Sequence, residues 1–234
     1  MDVIASVSLS VQKANAALRL YEWCGYKVIK EQKTDYIMLK RLDGKETVAF
    51  GLTLEELWQL FPIELAEHNP AWRDWYKDEE SSLLTLLDGA IEKTEHIGST
   101  AIDGLLAKPI VDILLQVASD CDIDWLKTSL ADGGWLLMAE QISPDVRSDW
   151  NKGYTPEGFA ERVFHLHVRQ AGDWDEPRFR DYIVAHPEAA AEYEGLKRRL
   201  LMEYKYNRDA YTDAKSEFIR TCTAKARNDQ EKSR

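Results

Sequence analysis

The 234-residue sequence predicts an α+β fold, and three patterns along the chain support this prediction. Residues 5–11 alternate polar and apolar side chains with period two, as in a half-buried strand. Residues 110–117 form a nearly continuous apolar run, which is typical of a central strand. The last third of the chain carries apolar residues at helical spacing, so we expect helices there.

Composition excludes several classes of function. The net charge of −11 argues against broad nucleic-acid binding, because that requires a basic face for phosphate contacts. No run approaches the roughly 20 apolar residues that cross a bilayer, and the first residues do not resemble a secretion signal. We therefore expect a cytoplasmic protein that has no membrane partner. The three cysteines lie far apart, so we expect buried small hydrophobes rather than disulfides or zinc ligands.

The N-terminal part predicts a strand, a helix and two further strands. Residues 14–23 have helical spacing, and Gly25 follows them as a C-cap residue. Residues 26–29 and 35–42 have the composition of strands. Asp43-Gly44 marks a turn after this unit. We place one unit at residues 1–45 and a linker at 46–54.

The remainder of the chain predicts a larger unit at residues 55–227. Thr53 and Glu56 form a capping box for a helix over residues 53–60. Further elements follow from apolar periodicity, caps and glycine breaks. They are helices from Pro70 to about Leu87 and from Asp122 or Asp124 to about Ala131, strands at 94–97, 110–117, 135–139 and 162–169, and C-terminal helices. Residues 225–234 are polar, and we expect a frayed end with a flexible tail at 228–234.

One candidate site begins at Gly98-Ser99-Thr100, directly after a predicted strand. Glycine permits a sharp turn there, and backbone N–H groups with two hydroxyls can face a phosphate. An ordinary strand-exit turn is the alternative. Asp112 lies inside an apolar run, where an unpaired carboxylate is costly to bury. Lys108 stands at the mouth of that strand, where it would pair with Asp112 or bind a phosphate.

A second candidate element is the pair His165 and His167. Residues two apart in a strand share a face, with Cα atoms about 6–7 Å apart, so both imidazoles can ligate one metal or contact one phosphate. Glu95, on the strand before the glycine turn, could complete a metal set with Asp112 and His167. His96 points to the opposite face, which indicates a structural role.

Together these motifs resemble the GrpB family over about residues 55–225. The family's Glu-His-Ile-Gly-Ser-Thr run matches residues 95–100, its Lys-Pro matches Lys108-Pro109, and its buried aspartate matches Asp112. The family's histidine pair matches His165 and His167. Asp103 stands where the family more often has proline. The resemblance implies a nucleotidyltransferase-like mixed sheet flanked by helices, with a helical C-terminal part.

The resemblance also implies a chemistry. Nucleotidyltransferases use two carboxylates one residue apart to bind divalent metal, but Leu114 occupies the second position here. We expect an enzyme that uses a nucleotide and a divalent metal, Mg²⁺, on an unknown acceptor. The implied roles are metal binding by Asp112, Glu95 and His167, phosphate binding by Gly98, Ser99, Thr100 and Lys108, and catalysis by Asp112, His165 and His167.

The alternative is a catalytically inactive accessory module that binds a nucleotide or another phosphorylated small molecule. The missing second carboxylate favours this alternative. Members that resemble GrpB are also found fused to dephospho-CoA kinase, which suits such a role.

Residues 9–42 resemble the last strand–helix–strand–strand part of a GNAT acetyltransferase. Tyr21 matches the tyrosine that can protonate the leaving thiolate of coenzyme A, while Asn15 stands one position closer to it than is usual. No preceding segment supplies the glycine-rich loop that holds the coenzyme A pyrophosphate. We therefore expect a GNAT-like remnant, with no acetyl-CoA bound by this chain alone. Its incomplete sheet would leave an open edge, which favours a homodimer.

Overall fold

The computed structural model describes residues 6–12, 26–31, 35–41, 61–141, 145–155 and 158–232. Several predicted features lie outside these residues. They are the helix at 14–23 with its Gly25 cap, the turn at Asp43-Gly44, the linker at 46–54 and the capping box of Thr53 and Glu56.

The N-terminal strands form an antiparallel sheet of their own. Strands β1 (Ser6–Gln12), β2 (Lys27–Glu31) and β3 (Asp35–Arg41) are arranged in the order β1-β3-β2. Strand β3 therefore lies at the centre and pairs with both neighbours. The three strands that the sequence predicts in this part are confirmed.

A second sheet contains five strands, and its order explains where the site lies. The strands are β4 (Ile91–Ile97), β5 (Val111–Val117), β6 (Leu136–Gln141), β7 (Arg147–Thr155) and β8 (Gly158–Gln170). Their order is β4-β5-β8-β7-β6, with β5 and β8 parallel and the other neighbours antiparallel. The expected mixed sheet is confirmed.

Strand β7 was not predicted. Its sequence, RSDWNKGYT, is mostly polar and contains few residues that favour strands. It forms because the chain turns back on itself, with Thr155 paired to Gly158 at the start of β8. Trp150 and Ser148 then point to the buried face, where the Trp150 indole donates to the Ser148 hydroxyl at 2.8 Å.

Five helices complete the described part of the larger unit. They are α1 (Ala71–Leu86), α2 (Ile123–Asp132), α3 (Asp175–Ala185), α4 (Pro187–Tyr204) and α5 (Arg208–Lys232). The predicted start of α1 after Pro70 is confirmed, and the Asp122 side chain caps α2 by accepting from Asp124 N and Trp125 N. Helix α5 continues to Lys232, past the point where we expected the chain to fray.

The two faces of the five-stranded sheet differ in polarity. Alternate residues of β5 and β8 pack with α1 and α2 into one buried core, and fully burying each such side chain contributes about 1.5–3 kcal/mol. Members of this core include Trp72, Leu83, Val111, Ile113, Leu115, Leu126, Leu130, Leu166 and Val168. The opposite face carries Asp112, His165 and His167, and α3, α4 and α5 extend polar side chains toward that side. The strands thus separate an apolar core from a polar site.

The described cysteines are free thiols. Cys222 is buried among residues of α3, α4 and α5, and Cys121 is half-buried against the main core. Cys24 lies outside the described residues. No helix in the described ranges combines the length and the apolar composition that are needed to cross a membrane.

Candidate functional site

The register of three neighbouring strands brings the polar residues together. Asp112 on β5 lies beside His165 on β8, and His167 lies two residues further along the same strand. Across the other edge of β8, Asp149 on β7 pairs with His167. Because residues that face each other in register share a face of the sheet, all four side chains lie on one side.

These four side chains form a connected network in which imidazoles and carboxylates alternate. Asp112 Oδ1 is 3.2 Å from His165 Nδ1 and 3.7 Å from His167 Nε2. His167 Nδ1 lies 2.8 Å from Asp149 Oδ1, which also accepts from Arg169 at 2.9 Å. Asp112 therefore lies between two imidazoles, and His167 lies between two carboxylates.

The surroundings give the two histidines opposite charge states. For His167, burial lowers the pKa, but the carboxylates of Asp112 and Asp149 raise it to about 9, so the ring is a cation at neutral pH. Burial lowers the pKa of His165 to about 4, so that ring is neutral. Burial alone would raise the pKa of Asp112, yet its bonds to both histidines hold the pKa well below its usual range.

A neutral His165 is consistent with the hydrogen bonds made by both of its ring nitrogens. Its Nδ1–H donates to Asp112, and its Nε2 accepts from the Tyr154 hydroxyl at 2.8 Å. The Tyr154 oxygen in turn accepts from Arg208 Nη2 at 3.0 Å. Both ring nitrogens of His165 are therefore occupied, which fixes its tautomer and orients Asp112.

The glycine turn packs directly on Asp112. Gly98 has φ +70° and ψ −171°, and a Cβ at this position would lie 2.2 Å from Asp112 Oδ2. Thr100 is only 2% exposed; its hydroxyl donates to the Ile110 carbonyl at 3.3 Å and lies 3.0 Å from His96 Nε2. The Thr100 hydroxyl therefore fastens the turn to the start of β5, and His96, which pairs with Ile113 in register, lies on the opposite face from Asp112, as we expected.

Helix α4 fastens the other side of the turn. Lys197, which is 2% exposed, donates from Nζ to Ser99 Oγ at 3.3 Å and to the Leu106 carbonyl. Glu194 Oε1 accepts from the Leu106 N–H at 2.5 Å. Burial, with the nearby charge of Lys215, lowers the pKa of Lys197 to about 7. The loop that carries Ser99 is thus held by a buried amine.

Three further cations, Lys108, Arg208 and Lys215, form what we call the cation cluster. The Nζ atoms of Lys108 and Lys215 lie 5.6 and 4.6 Å from the centroid of the Tyr211 ring. Among the described residues, Arg208 donates to two uncharged oxygens, those of Phe61 and Tyr154. Among the side chains that the structure describes, no carboxylate oxygen lies close enough to any of these three cations, 4.0 Å or less, to form an ion pair.

The members of the cation cluster disfavour one another's charge. Burial and then the charges of Arg208 and Lys215 lower the pKa of Lys108 well below its ordinary value, against the opposing effect of Asp112. Burial also lowers the pKa of Lys215, to about 8, with Arg208 adding to the effect. Tyr211 is fully buried between them, and within the described part its hydroxyl has no hydrogen-bond partner. The cation cluster thus surrounds a buried hydroxyl that has no partner in the described part of the chain.

Two of the three predicted metal ligands, Asp112 and His167, lie together, but Glu95 pairs with cations instead. The Glu95 carboxylate pairs with Lys93 at 2.8 Å and with Arg180 at 3.2 Å. Asp112 Oδ1 already contacts both imidazoles. Over the described ranges, no group of three or more His, Cys, Asp or Glu side chains is arranged to hold a metal ion. As arranged in the structure, these donors do not fit a resident metal.

Five polar residues of the site were missed from the sequence: Asp149, Tyr154, Lys197, Arg208 and Lys215. The first two lie on β7, the strand that was not predicted. A weak signal existed for two of the cations, since Arg208, Tyr211 and Lys215 fall on one face of a helix at spacings of three and four. No local motif marked Lys197.

Comparison with known proteins identifies the family. The family model described as GrpB protein matches residues 62–225. The glutamate-rich protein GrpB of Alkalihalophilus pseudofirmus is 31% identical over 161 residues, which cover 67% of this chain and 91% of that one. A dephospho-CoA kinase of Mycolicibacterium paratuberculosis is 26% identical over 188 residues, which cover 70% of this chain but only 46% of the kinase.

A solved structure agrees with these matches. The crystal structure of the conserved protein GrpB from Enterococcus faecalis superposes with a TM-score of 0.61 at 29% identity, covering 70% of this chain and 96% of that one. The family match begins at residue 62, so the GNAT resemblance of residues 9–42 stays a prediction. The matched residues include the glycine turn, Asp112, both histidines and the cation cluster. The chain belongs to the GrpB family.

Proposed function

We propose that this chain binds the phosphate of a nucleotide or another phosphorylated small molecule at the cation cluster. The observation that carries this proposal is that Lys108, Arg208 and Lys215 lie together without a carboxylate partner in the described part. The chain has 41 acidic and 30 basic residues, so acidic partners are abundant elsewhere. Placing cations together in a half-buried pocket is unfavourable unless an anion compensates them, and Lys and Arg are the usual phosphate ligands.

Two further features support an anionic ligand. Arg208 is held in place by neutral acceptors, so its charge is not neutralised by the contacts that orient it. The buried Tyr211 hydroxyl lacks a partner in the structure as described, and a phosphate oxygen would accept its hydrogen bond. The match to less than half of a dephospho-CoA kinase is consistent with a module of this kind attached to an enzyme.

Removing the cations should weaken phosphate binding. We expect Lys108→Met and Arg208→Gln each to lower the affinity for inorganic pyrophosphate about 10- to 100-fold, since a charge-assisted hydrogen bond contributes roughly 1.5–3 kcal/mol. Isothermal titration calorimetry measures this directly. Lys127→Met is the matched control, because Lys127 on α2 is paired with Glu140 at 2.7 Å and should leave binding unchanged. Wild-type affinity in both cluster variants would overturn the proposal.

The protein should also take up protons when it binds an anion. A bound anion favours the charged forms of Lys108 and Lys215, whose pKa values are lowered in its absence by burial and by Arg208. Below about pH 8 Lys215 is already protonated, whereas above it binding must protonate the amine, so affinity should fall as pH rises. We expect the affinity for sulfate, whose charge stays constant, to fall roughly fivefold between pH 8 and 9 for one proton taken up by Lys215, because this amine is already about half deprotonated at pH 8. This expectation would be contradicted if sulfate bound with equal affinity at pH 8 and 9 and if its binding heat were the same in two buffers of different ionisation enthalpy.

Nucleotidyl transfer in the same pocket is the second candidate, with Asp112, His165 and His167 as the catalytic residues. The observation that favours it is the position of His167 between Asp112 and Asp149, whose charges raise its pKa to about 9. An imidazolium at this position can stabilise or protonate a departing oxyanion. Turnover separates the two candidates. Nucleoside triphosphates are incubated with an acceptor panel, with and without Mg²⁺, using wild type and His167→Gln. Product that depends on His167 supports transfer, while pyrophosphate binding without product supports the accessory module.

A further inference from the structure

We infer that the phosphorylated ligand is a nucleoside phosphate whose base lies in a cavity beside the cation cluster. This inference rests on the proposed function and adds the class of ligand. The cavity, which we call the side cavity, has a volume of about 120 Å³. Its lining combines two cations with apolar and acidic side chains: Lys108, Arg208, Pro62, Pro109, Phe159, Val163, Glu64 and Glu161 among others.

The position of the cations divides the ligand into two parts. Lys108 and Arg208 line the side cavity, whereas Lys215 does not, so the cation cluster extends beyond its edge. A phosphate that contacts all three cations therefore lies at this edge. A group attached to that phosphate would then enter the side cavity.

The volume of the side cavity limits the size of that group. Pockets that enclose drug-sized ligands have volumes of roughly 300–1,000 Å³. At about 120 Å³, the side cavity can enclose one ring system but not a whole nucleotide. The sugar and phosphate would then remain near its mouth, where the cation cluster lies.

The wall of the side cavity favours a flat ring. The Phe159 ring lies 5.0 Å from Phe61 and 5.1 Å from Tyr154, with steep interplanar angles of 63° and 72°. The Arg208 guanidinium lies 5.4 Å from the centre of the Phe159 ring. Because three aromatic rings and a guanidinium fix one another, Phe159 presents a firm aromatic surface, which suits stacking by a nucleobase.

Two carboxylates distinguish a nucleoside from a simpler anion. Glu64 and Glu161 are exposed and line the same side cavity. Carboxylates accept hydrogen bonds, so they suit the hydroxyls of a ribose or the amino group of a base. They also repel a second phosphate inside the side cavity. A polyphosphate alone would therefore use the cation cluster and leave the side cavity empty.

The experiment compares ligands that differ by one part. Calorimetry gives the affinities of the four common nucleoside 5′-monophosphates, ribose 5-phosphate and inorganic pyrophosphate for wild type, Phe159→Ala, Phe159→Leu and Lys108→Met. We expect at least one nucleoside monophosphate to bind ten or more times more tightly than ribose 5-phosphate. Both Phe159 variants should remove that preference. Pyrophosphate should still bind to both and lose far less affinity than in Lys108→Met, because Arg208 is also held by the oxygens of Phe61 and Tyr154. Lys108→Met should weaken all ligands.

The outcomes separate this inference from the function on which it rests. Equal affinity for ribose 5-phosphate and all four nucleoside monophosphates would overturn the inference and leave phosphate binding intact. A nucleotide preference that persists in both Phe159 variants would also overturn it. No binding of any phosphate by wild type would instead overturn the proposed function. Pyrophosphate binding reports an intact cation cluster, and Phe159→Leu keeps apolar volume in place should Phe159→Ala fail to fold.

Discussion

Replacing Gly98 with alanine is expected to lower the free energy of unfolding by about 4 kcal/mol and to weaken pyrophosphate binding. Binding is affected because Asp112, which the new Cβ would displace, orients His165 and, through Tyr154, the Arg208 guanidinium. The φ of +70° with ψ of −171° at Gly98 is a conformation that essentially only glycine adopts, and strain of this kind costs about 1–3 kcal/mol. The added Cβ would also lie 2.2 Å from Asp112 Oδ2. Asp112 cannot easily move away, because its other oxygen is held by His165 and lies close to His167.

Gly104→Ala is the matched control for this prediction. Gly104 has a similar φ of +77°, but nothing lies within 4 Å of a Cβ placed there. It should therefore show the cost of the backbone alone, about 1–2 kcal/mol, and retain pyrophosphate binding. Urea denaturation measures both variants. Equal losses of stability would show that contact with Asp112 contributes nothing.

His167→Gln is expected to destabilise the protein by roughly 3 kcal/mol near pH 6, and this loss should shrink at high pH. Between the two carboxylates, the pKa of His167 rises from 6.5 to about 9 on folding. The resulting stabilisation is fully present below pH 6.5 and is lost as the pH rises through 9. Urea denaturation of wild type and variant at pH 6, 8 and 10 measures the difference.

His165→Gln provides the contrast, because this histidine titrates in the opposite direction. Burial lowers the pKa of His165 from 6.5 to about 4, so its contribution is present above pH 6.5 and is lost as the pH falls toward 4. The variant should therefore gain stability relative to wild type between pH 7 and 5. Asp112 and Asp149 stay ionised over this range, since their pKa values are held low by the histidines. Identical pH profiles for the two variants would refute the opposite charge states.

The sequence predicted the centre of the site because the local pattern determined it. A single carboxylate in an apolar run indicated both a central strand and a buried functional group, and the period of two placed His165 and His167 on one face. The glycine turn was predicted because glycine permits a sharp turn at the end of a strand, and Gly98 does have a positive φ. Each of these predictions needs only residues within a few positions of one another.

The missed parts depend on contacts between distant segments. Lys197 reaches Ser99 across 98 positions, and Arg208 reaches Tyr154 across 54, so no local spacing could reveal them. Strand β7 is stabilised by pairing with β8 rather than by its own polar residues. The predicted role of Glu95 shows a related limit. It shares a face with Asp112, but the side chain of Arg180, from a helix distant in sequence, reaches it instead.

The parallel pairing of β5 with β8 also bears on how the chain folds. Strands β7 and β8 form a hairpin that needs only a short turn, whereas Asp112 and His165 meet only after 53 positions of chain have been closed into a loop. Closing such a loop costs entropy before its contacts form, so parallel pairs of this kind are slow to assemble. The pocket also needs α5, which follows all of these strands in the chain. Because Arg208 and Lys215 belong to α5, we expect the binding site to be complete only after α5 has packed, so that phosphate stabilises only the complete fold.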